Sequence, residues 1–291
     1  MDYRITNSSE LNATNASHLR TWHGSITRNE FLAGLFFLGC ANGLAGRAIG
    51  ASVGRGWLDA LIATYDVSVI VLIACGAGLW LTLWRGKQTV TPVDLTVGGV
   101  ALVLIALPSA GLSWLAVSGL ALYVLLFTDS DPPMRQGALI LLATTIPMLW
   151  SRLLFEFFAN FILGIDAFLV GWLLGSEQTG NMVRFANGDG YLVIFPACSS
   201  LANMSLAFLC WITVSELAGH RRSLNDVWWC ALACACVTAI NIGRMSLMGI
   251  SLGHYEAIHS QIGDFVANAL ILAVTLGWSI LGARRELFSR A

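Results

Sequence analysis

Charge is scarce in this chain of 291 residues, in which Asp, Glu, Lys and Arg together make up only 11%. Hydrophobic residues account for 56% of the chain, and the mean hydropathy is +0.72. A soluble domain carries about 25% charged residues, because its surface must be solvated. The composition therefore excludes a soluble globule and predicts an all-α polytopic membrane protein, since helices satisfy their own backbone groups in lipid.

Lysine is almost absent, because fifteen of the sixteen basic residues are arginine and only Lys87 is not. The formal net charge is −1, and no polybasic arm occurs anywhere in the chain. Binding to nucleic acid depends on such a basic surface. The sequence therefore excludes nucleic acid as a partner and leaves membrane lipid as the expected surroundings.

The chain also lacks the CxxC spacing that is typical of zinc sites and redox motifs. We therefore predict no metal site, no disulfide framework and no cofactor. The cysteines lie mostly inside apolar runs, where a thiol is usually a small core residue, and Cys198 is the exception. The seven cysteines are at positions 40, 75, 198, 210, 230, 234 and 236.

The beginning of the chain lacks the apolar core of a signal peptide and is rich in Asn, Ser and Thr. We expect residues 1–28 to form a flexible cytoplasmic tail. At the other end, residues 284–291 contain three arginines and are expected to form a basic cytoplasmic tail.

Eight apolar stretches have about the length of a membrane-crossing helix, for which about 20 residues are needed. Five of them belong to an N-terminal membrane region, 29–150, and three to a C-terminal membrane region, 198–283. They cover residues 31–50, 67–84, 95–109, 112–128, 137–150, 199–218, 227–250 and 265–282.

A further apolar segment, 151–175, carries Arg152, Glu156 and Asn160 at every fourth position. This spacing places one polar stripe along a helix, which favours a helix that lies in the membrane interface. A helix that crosses is the alternative, and it would reverse the side of every later span. The region 151–197 is thus predicted to be an outer interfacial helix and a hairpin.

With eight spans and an interfacial 151–175, eleven of the sixteen basic residues fall on one side of the membrane. The positive-inside rule makes that side cytoplasmic. Both termini are then cytoplasmic, and we expect a multi-pass protein of a prokaryotic cytoplasmic (inner) membrane. The eleven residues are Arg4, Arg20, Arg28, Arg85, Lys87, Arg135, Arg221, Arg222, Arg284, Arg285 and Arg290.

Cys198 closes an extracytoplasmic segment in which NMVRF and YLVIF flank the turn sequence NGDG. This pattern predicts a short β-hairpin. Pro196 ends the extended run, which places Cys198 in the first turn of the next helix, beside Ser199. The helix dipole there favours a thiolate, the nucleophilic form of cysteine. The position equally suits a small buried cysteine, and the sequence leaves both interpretations open.

Arg244 lies near the outer end of the seventh span, one helical turn after Asn241. A guanidinium keeps its charge, so it needs a paired or hydrated environment, unless it simply snorkels to the surface. His254 and His259 follow in the outer loop, within reach of Cys198. An imidazole there can take the thiol proton and return it to a leaving amine, although a loop histidine is often only polar surface.

The three motifs PACSSL, NIGR and HSQIG begin at residues 196, 241 and 259. Their order resembles the exosortase/archaeosortase family, in which a Cys-Ser-Gly motif precedes Asn-x-x-Arg and a His that is followed four residues later by Gly. The resemblance covers about residues 180–280. One departure is Ser200, which stands where the family usually has glycine.

The resemblance implies a nucleophile, Cys198, a catalytic arginine, Arg244, and a catalytic histidine, His259. Asn241 is the supporting asparagine, and Gly263 selects His259 over His254 by its spacing. We keep Ser199 and His254 as supporting candidates because they are close in sequence to the two principal residues.

Members of this family are membrane-embedded enzymes that process proteins with a C-terminal sorting signal. The implied activity is that of a cysteine protease or transpeptidase, which acts through a thioester acyl-enzyme. The implied partners are exported proteins that carry a short C-terminal motif, a transmembrane helix and a basic tail, together with a glycan or lipid acceptor.

Two other functions stay open on the residues alone. A polytopic transporter, channel or assembly scaffold would use Arg244, Asp166 and Glu156 to line a polar path and leave Cys198 inert. A membrane acyltransferase or peptidase of another kind would use His254 or His259 with a different partner.

Overall fold

The structure, a computed structural model, describes residues 26–62, 64–84, 86, 88–220 and 223–289. Most of the predicted N-terminal tail therefore lies outside the described residues, as do Arg85, Lys87, Arg221, Arg222 and Arg290. The first helix begins at Arg28, where Thr27 caps it together with Glu30. The last helix continues to Ser289, so the backbone of most of the predicted C-terminal tail is helical.

Helices make up most of the described chain, and every apolar stretch predicted to span the membrane is helical. In chain order the helices are α1 (Arg28–Arg55), α2 (Trp57–Ile62), α3 (Val69–Thr82), α4 (Pro92–Ala106), α5 (Ala110–Phe127), α6 (Pro132–Thr145), α7 (Ser151–Leu174), α8 (Ser200–Ala218), α9 (Leu224–Met248), α10 (Leu252–Ile258) and α11 (Gln261–Ser289).

Six helical segments among the described residues are long and apolar enough to cross a membrane. Helices α6 and α7 count together as one of them, and the apolar helices α3 and α4 are shorter. The protein is therefore a membrane-embedded helical protein, with six segments of full spanning length where the sequence predicts eight spans.

Helices α6 and α7 form one continuous apolar helix of 43 residues. At 1.5 Å per residue it would be about 65 Å long, roughly twice the thickness of the hydrocarbon core. A single straight crossing therefore cannot contain it. A π-helical turn at Ile146–Trp150 and a non-helical residue, Phe158, interrupt its regular geometry. Pro147 lies within the π-helical turn, where its missing N–H leaves a helical carbonyl without its usual donor.

The polar stripe predicted for the segment 151–175 is present on α7. Arg152, Glu156 and Asn160 are exposed there, whereas Asp166 is buried and 4% accessible. The first part of α7 thus presents its charges away from the protein interior, and its last part turns a carboxylate inward.

The first helices form a bundle in which α1 packs against α5 and α3 packs against α6. Phe36 and Trp114 are fully or almost fully buried in its core. The backbones of α3 and α6 touch, because a Cβ atom on Gly137 would lie 2.6 Å from the carbonyl oxygen of Gly78. Leu209 of α8 belongs to the same core, so the N-terminal and C-terminal membrane regions pack as neighbours.

A buried ion pair connects three helices of this bundle. Arg28 Nε on α1 donates to Asp94 Oδ1 on α4 over 2.9 Å, and the hydroxyl of Tyr123 on α5 donates to the same oxygen over 2.7 Å. Asp94 is completely buried, and its second oxygen accepts bonds from the backbone and side chain of Thr91. The sequence analysis did not identify this cluster.

A small antiparallel sheet follows α7, with strands β1 (Gln178–Thr179), β2 (Met182–Arg184) and β3 (Tyr191–Val193) in the order β1-β2-β3. Strands β2 and β3 pair on either side of the predicted NGDG turn. Strand β1 was not predicted from the sequence, because two exposed polar residues carry no alternating pattern. Val183 and Leu192 are buried on one face, in a core with α7 and α9.

Candidate functional site

Cys198 lies in a tight 3₁₀ turn, Pro196–Cys198, between β3 and α8. The N–H of Cys198 donates to the carbonyl of Phe195 over 2.9 Å. The next residue, Ser199, is buried and caps α8, because its hydroxyl accepts the N–H of Leu201. The expectation that Cys198 occupies the first turn of the helix is therefore wrong, since Pro196 starts a separate turn and Ser199 is the N-cap.

Two buried polar side chains hold the backbone around Cys198. Asn241 Nδ2 on α9 donates to the carbonyl oxygen of Cys198 over 2.8 Å and to Ser200 Oγ over 3.2 Å. Asp166 Oδ2 on α7 accepts the N–H of Ser200 over 3.0 Å. Because Asn241 and Asp166 are almost completely buried, the position of the Cys198 turn is fixed from both sides.

Cys198 and His259 line the same cavity, which has a volume of about 200 Å³. Met245 and Met248 on α9 and Tyr255 on α10 form its apolar wall. The imidazole of His259 stacks on the Tyr255 ring, with 5.2 Å between the ring centroids. His259 directly follows α10, so the ring that packs against it is on the helix that positions it.

Arg244 forms an ion pair with Asp264, in which its Nη2 donates to Asp264 Oδ1. The same carboxylate oxygen lies 3.9 Å from His259 Nδ1. Asp264 thus connects the arginine and the histidine that were selected from the sequence. The Arg244 side chain is 16% accessible, and within the described residues its buried Nε–H has no hydrogen-bond partner.

Asp264 was missed in the sequence analysis. It is the carboxylate directly after Gly263, in the first turn of a long apolar helix. Acidic residues are common at that position because they complement the helix dipole, so only its distance of five residues from His259 pointed to a role.

Burial raises the pKa of the Cys198 thiol above its usual value. The positive charge of Arg244 acts in the opposite direction, and the carboxylate of Asp264 raises the pKa further. Burial thus acts against the thiolate that the helix dipole was expected to favour, because desolvation disfavours the charged form. A thiol in this environment needs a base to become a nucleophile.

His254 lies apart from this cavity. It is exposed on α10, and its Nδ1 is 2.8 Å from the hydroxyl of Ser251, which caps the same helix. Its hydrogen bond therefore stabilises the start of α10, and the structure does not bring it to Cys198.

The three polar residues of the transporter alternative have separate environments. Asp166 accepts a backbone hydrogen bond at the start of α8, Glu156 is exposed on α7, and Arg244 is paired with Asp264. Within the described part of the chain, no group of three His, Cys, Asp or Glu side chains is arranged to hold a metal ion.

Gly263 allows the end of α10 to touch the start of α11. A Cβ atom at Gly263 would lie 2.2 Å from the carbonyl oxygen and 2.7 Å from the carbonyl carbon of Ile258. These are backbone atoms and cannot rotate away, so the two helix ends would have to separate. The glycine thereby determines where His259 and Asp264 lie relative to each other.

We expect Gly263→Ala to displace His259 and to slow the reaction of Cys198 with iodoacetamide by at least about tenfold, because misplacement of a base by about 1 Å is enough for a large loss. Gly277→Ala is the matched control in the same helix, since a Cβ there meets nothing within 4 Å. The control should keep the reactivity of Cys198 and gain slightly in stability. Equal rates of alkylation in the two variants would show that the close approach is not needed.

No family model matches this chain, and no match was found among the curated proteins or the solved structures.

Proposed function

We propose that this protein is a membrane-embedded cysteine protease or transpeptidase of the exosortase/archaeosortase type, which cleaves the C-terminal sorting signal of exported proteins. The observation that carries this proposal is the cavity shared by Cys198 and His259. Asp264, which forms an ion pair with Arg244, lies beside the histidine, with Oδ1 3.9 Å from His259 Nδ1. Acyl transfer through cysteine requires a thiol, a base and a donor that stabilises the oxyanion, and an imidazole and a guanidinium can serve as the base and the donor.

In the first step, His259 takes the proton of the Cys198 thiol as the sulfur attacks a backbone carbonyl carbon of the substrate. Because burial raises the pKa of the thiol, a base is expected to assist the attack. The carbonyl oxygen becomes an oxyanion, and the Arg244 guanidinium, whose charge also acts on the Cys198 thiol, supplies the positive charge that stabilises it.

Collapse of the tetrahedral species breaks the C–N bond and leaves a thioester on Cys198. His259 returns its proton to the departing amine, which carries the transmembrane helix and basic tail of the substrate. A water molecule or an amine of an acceptor then attacks the thioester and restores the thiol. The acceptor class, a glycan or a lipid, is part of the proposal that comes from the family resemblance.

Asp264 acts through its neighbours in this mechanism. Its carboxylate orients the Arg244 side chain, and it lies on the Nδ1 side of His259, where a negative charge stabilises the imidazolium that forms during attack. It is therefore a positioning residue.

Ser200 replaces the glycine that the family usually has after Cys-Ser. Its hydroxyl accepts the hydrogen bond from Asn241, and its N–H donates to Asp166. A serine at this place therefore adds a contact between α8 and α9 without disturbing the Cys198 turn.

We further propose that the site faces the extracytoplasmic side of a prokaryotic inner membrane and that both termini are cytoplasmic. The support is the distribution of basic residues in the sequence. A membrane-impermeant maleimide added to intact spheroplasts should then label Cys198, and labelling only after the membrane is permeabilised would contradict this orientation.

The chemical step is tested by trapping the thioester. The full-length protein, recovered after acid quenching from the cells that make it, should carry an acyl adduct on Cys198 that neutral hydroxylamine removes. Cys198→Ala should carry no adduct and should leave the exported proteins uncleaved, whereas the matched control Cys236→Ala should behave as the wild type. Cleavage of the same exported proteins by Cys198→Ala at the wild-type rate would overturn the proposal.

A further inference from the structure

Strand β3 is one of the two edge strands of the small sheet, and it borders the Cys198 cavity. The bonds from Ile194 N to Asn181 O and from Phe185 N to Gly190 O show which residues of this segment pair with β2. Hydrogen-bonded pairs alternate along an antiparallel ladder, so Tyr191 and Val193 direct their N–H and C=O groups away from β2.

The backbone groups of Tyr191 and Val193 meet no further strand, since β3 ends the sheet among the residues that the structure describes. Unpaired groups on an edge strand are a template for another extended chain. They offer a donor and an acceptor on each of two alternating residues, which is the hydrogen-bonding pattern of a peptide backbone.

The cavity runs along this edge. Leu192 and Val193 of β3 line it, together with Ile194 and Phe195, which continue the chain beyond the strand. Because neighbouring side chains of a strand point to opposite faces, a cavity that touches both Leu192 and Val193 borders the edge of the strand. The chain then turns at Pro196 and reaches Cys198, which lines the same cavity.

The volume and lining of the cavity also fit a piece of peptide. Its volume of about 200 Å³ is below the ~300–1,000 Å³ of pockets that enclose a whole small ligand. Met245 and Met248 are long, flexible side chains that adapt to different apolar groups, and Tyr255 closes the wall beside them. One or two apolar side chains of an extended segment would occupy this space.

We propose that the substrate binds as a fourth strand on the free edge of β3, with its scissile carbonyl next to Cys198 and an alternate apolar side chain in the cavity. Recognition then comes mainly from backbone hydrogen bonds to Tyr191 and Val193, and the sequence preference comes from the wall of Met245, Met248 and Tyr255. This inference rests on the proposed function, because it concerns the peptide that the enzyme would cleave.

Peptide reagents test the strand directly. The probes are acetylated pentapeptide chloromethyl ketones of leucine and alanine, each N-methylated at one position, with the wild-type protein in detergent. The sulfur of Cys198 displaces chloride from the reagent and forms a C–S bond, while the thiol proton passes to a base. Methylation should slow alkylation about threefold to tenfold at every second position and leave the positions between them unchanged, because only alternate N–H groups face β3.

The protein variants Val193→Pro and Gln178→Pro provide the matched pair. Proline removes the outward N–H of Val193 without breaking a bond to β2, which an edge strand tolerates. Gln178 lies on β1, the opposite edge strand, where its N–H also points away from β2 and its side chain is outside the cavity lining. We expect Val193→Pro to lower the ratio of the alkylation rate by the unmethylated peptide reagent to the rate by 2-chloroacetamide at least about fivefold, whereas Gln178→Pro should keep this ratio within twofold of the wild type.

The proposal is overturned if N-methylation has the same effect at every position, or if the peptide reagents react no faster than 2-chloroacetamide. The methylation series on the wild-type protein decides the question even if Val193→Pro does not fold. If alkylation shows alternating sensitivity to N-methylation but the protein cleaves no exported protein, the proposed function is refuted and the peptide-binding site stands. If the protein cleaves exported proteins but alkylation shows no alternation, binding of the substrate as a fourth strand is refuted and the proposed function stands.

Discussion

Replacing Arg244 with glutamine is expected to slow the cleavage that we propose for this protein by about 100-fold to 1,000-fold. Loss of one oriented donor to the oxyanion typically has an effect of this size, and glutamine also lacks the positive charge. The rate of release of the tail from an exported protein measures the effect. Arg184→Gln is the matched control, because Arg184 is exposed on β2, whereas the charge of Arg244 acts on the Cys198 thiol.

A rate close to that of the wild type in Arg244→Gln would contradict the role given to the guanidinium. A loss of activity through misfolding is recognised by comparison with Arg244→Lys, which keeps the charge but not the planar fork of donors. Partial recovery in the lysine variant, with unchanged thermal stability in all three proteins, would assign the effect to charge and geometry at the site.

Two charges near Cys198 affect the pH at which its thiol reacts. Burial raises the pKa of the thiol, Arg244 lowers it and Asp264 raises it further. The rate of alkylation by iodoacetamide rises with pH because the thiolate reacts, so its midpoint follows this pKa. Arg244→Gln should therefore move the midpoint to higher pH, and Asp264→Asn should move it to lower pH. Shifts in the same direction in both variants would show that the two charges do not act on the thiol as the structure indicates.

The largest expected effect on stability is that of Asp94→Asn. This substitution leaves the buried Arg28 guanidinium without its counter-ion, and breaking a buried pair typically costs about 3–5 kcal/mol. Asp94 is completely buried and accepts hydrogen bonds from both Arg28 and Tyr123. Water therefore cannot reach its place and solvate the unpaired guanidinium unless the bundle opens. The free energy of unfolding in mixed micelles, obtained by titration with a denaturing detergent, measures the loss.

Asp129→Asn is the control for this prediction. Asp129 is exposed, and the hydrogen bond that it forms with Gln88, in the part of the chain that the structure describes, uses its backbone oxygen and not its carboxylate. Its substitution should change the free energy of unfolding by less than about 0.5 kcal/mol. If Asp94→Asn were equally neutral, the ion pair would contribute nothing to holding α1, α4 and α5 together.

Hydropathy alone was sufficient to predict the helical part of the fold. Each stretch of about 20 apolar residues became a helix, because a chain in lipid must satisfy its backbone within the segment. The number of eight spans stays a prediction, because six segments have full spanning length and the apolar helices Val69–Thr82 and Pro92–Ala106 are shorter. The boundary expected after residue 150 lies inside the long helical segment Pro132–Leu174. A polar residue such as Arg152 on a helix surface does not stop the helix, so composition could not locate that boundary.

The site was predictable only as far as its residues carry distinctive chemistry. Cys198 and His259 were selected because the predicted topology places both on the same side of the membrane and both match the motifs of the family resemblance, and they line one cavity. Asp264 was missed because a carboxylate at a helix start has an ordinary structural explanation. The raised pKa of Cys198 was also missed, since it depends on how deeply neighbouring side chains cover the sulfur.

The contact between Gly263 and the carbonyl of Ile258 has a consequence for finding related chains. Because main-chain atoms leave no room for a methyl group at Gly263, every substitution there is unfavourable, even where the surrounding apolar residues diverge. A search profile for distant homologues should therefore give this side-chain-free position, four residues after His259, as much weight as the reactive residues themselves.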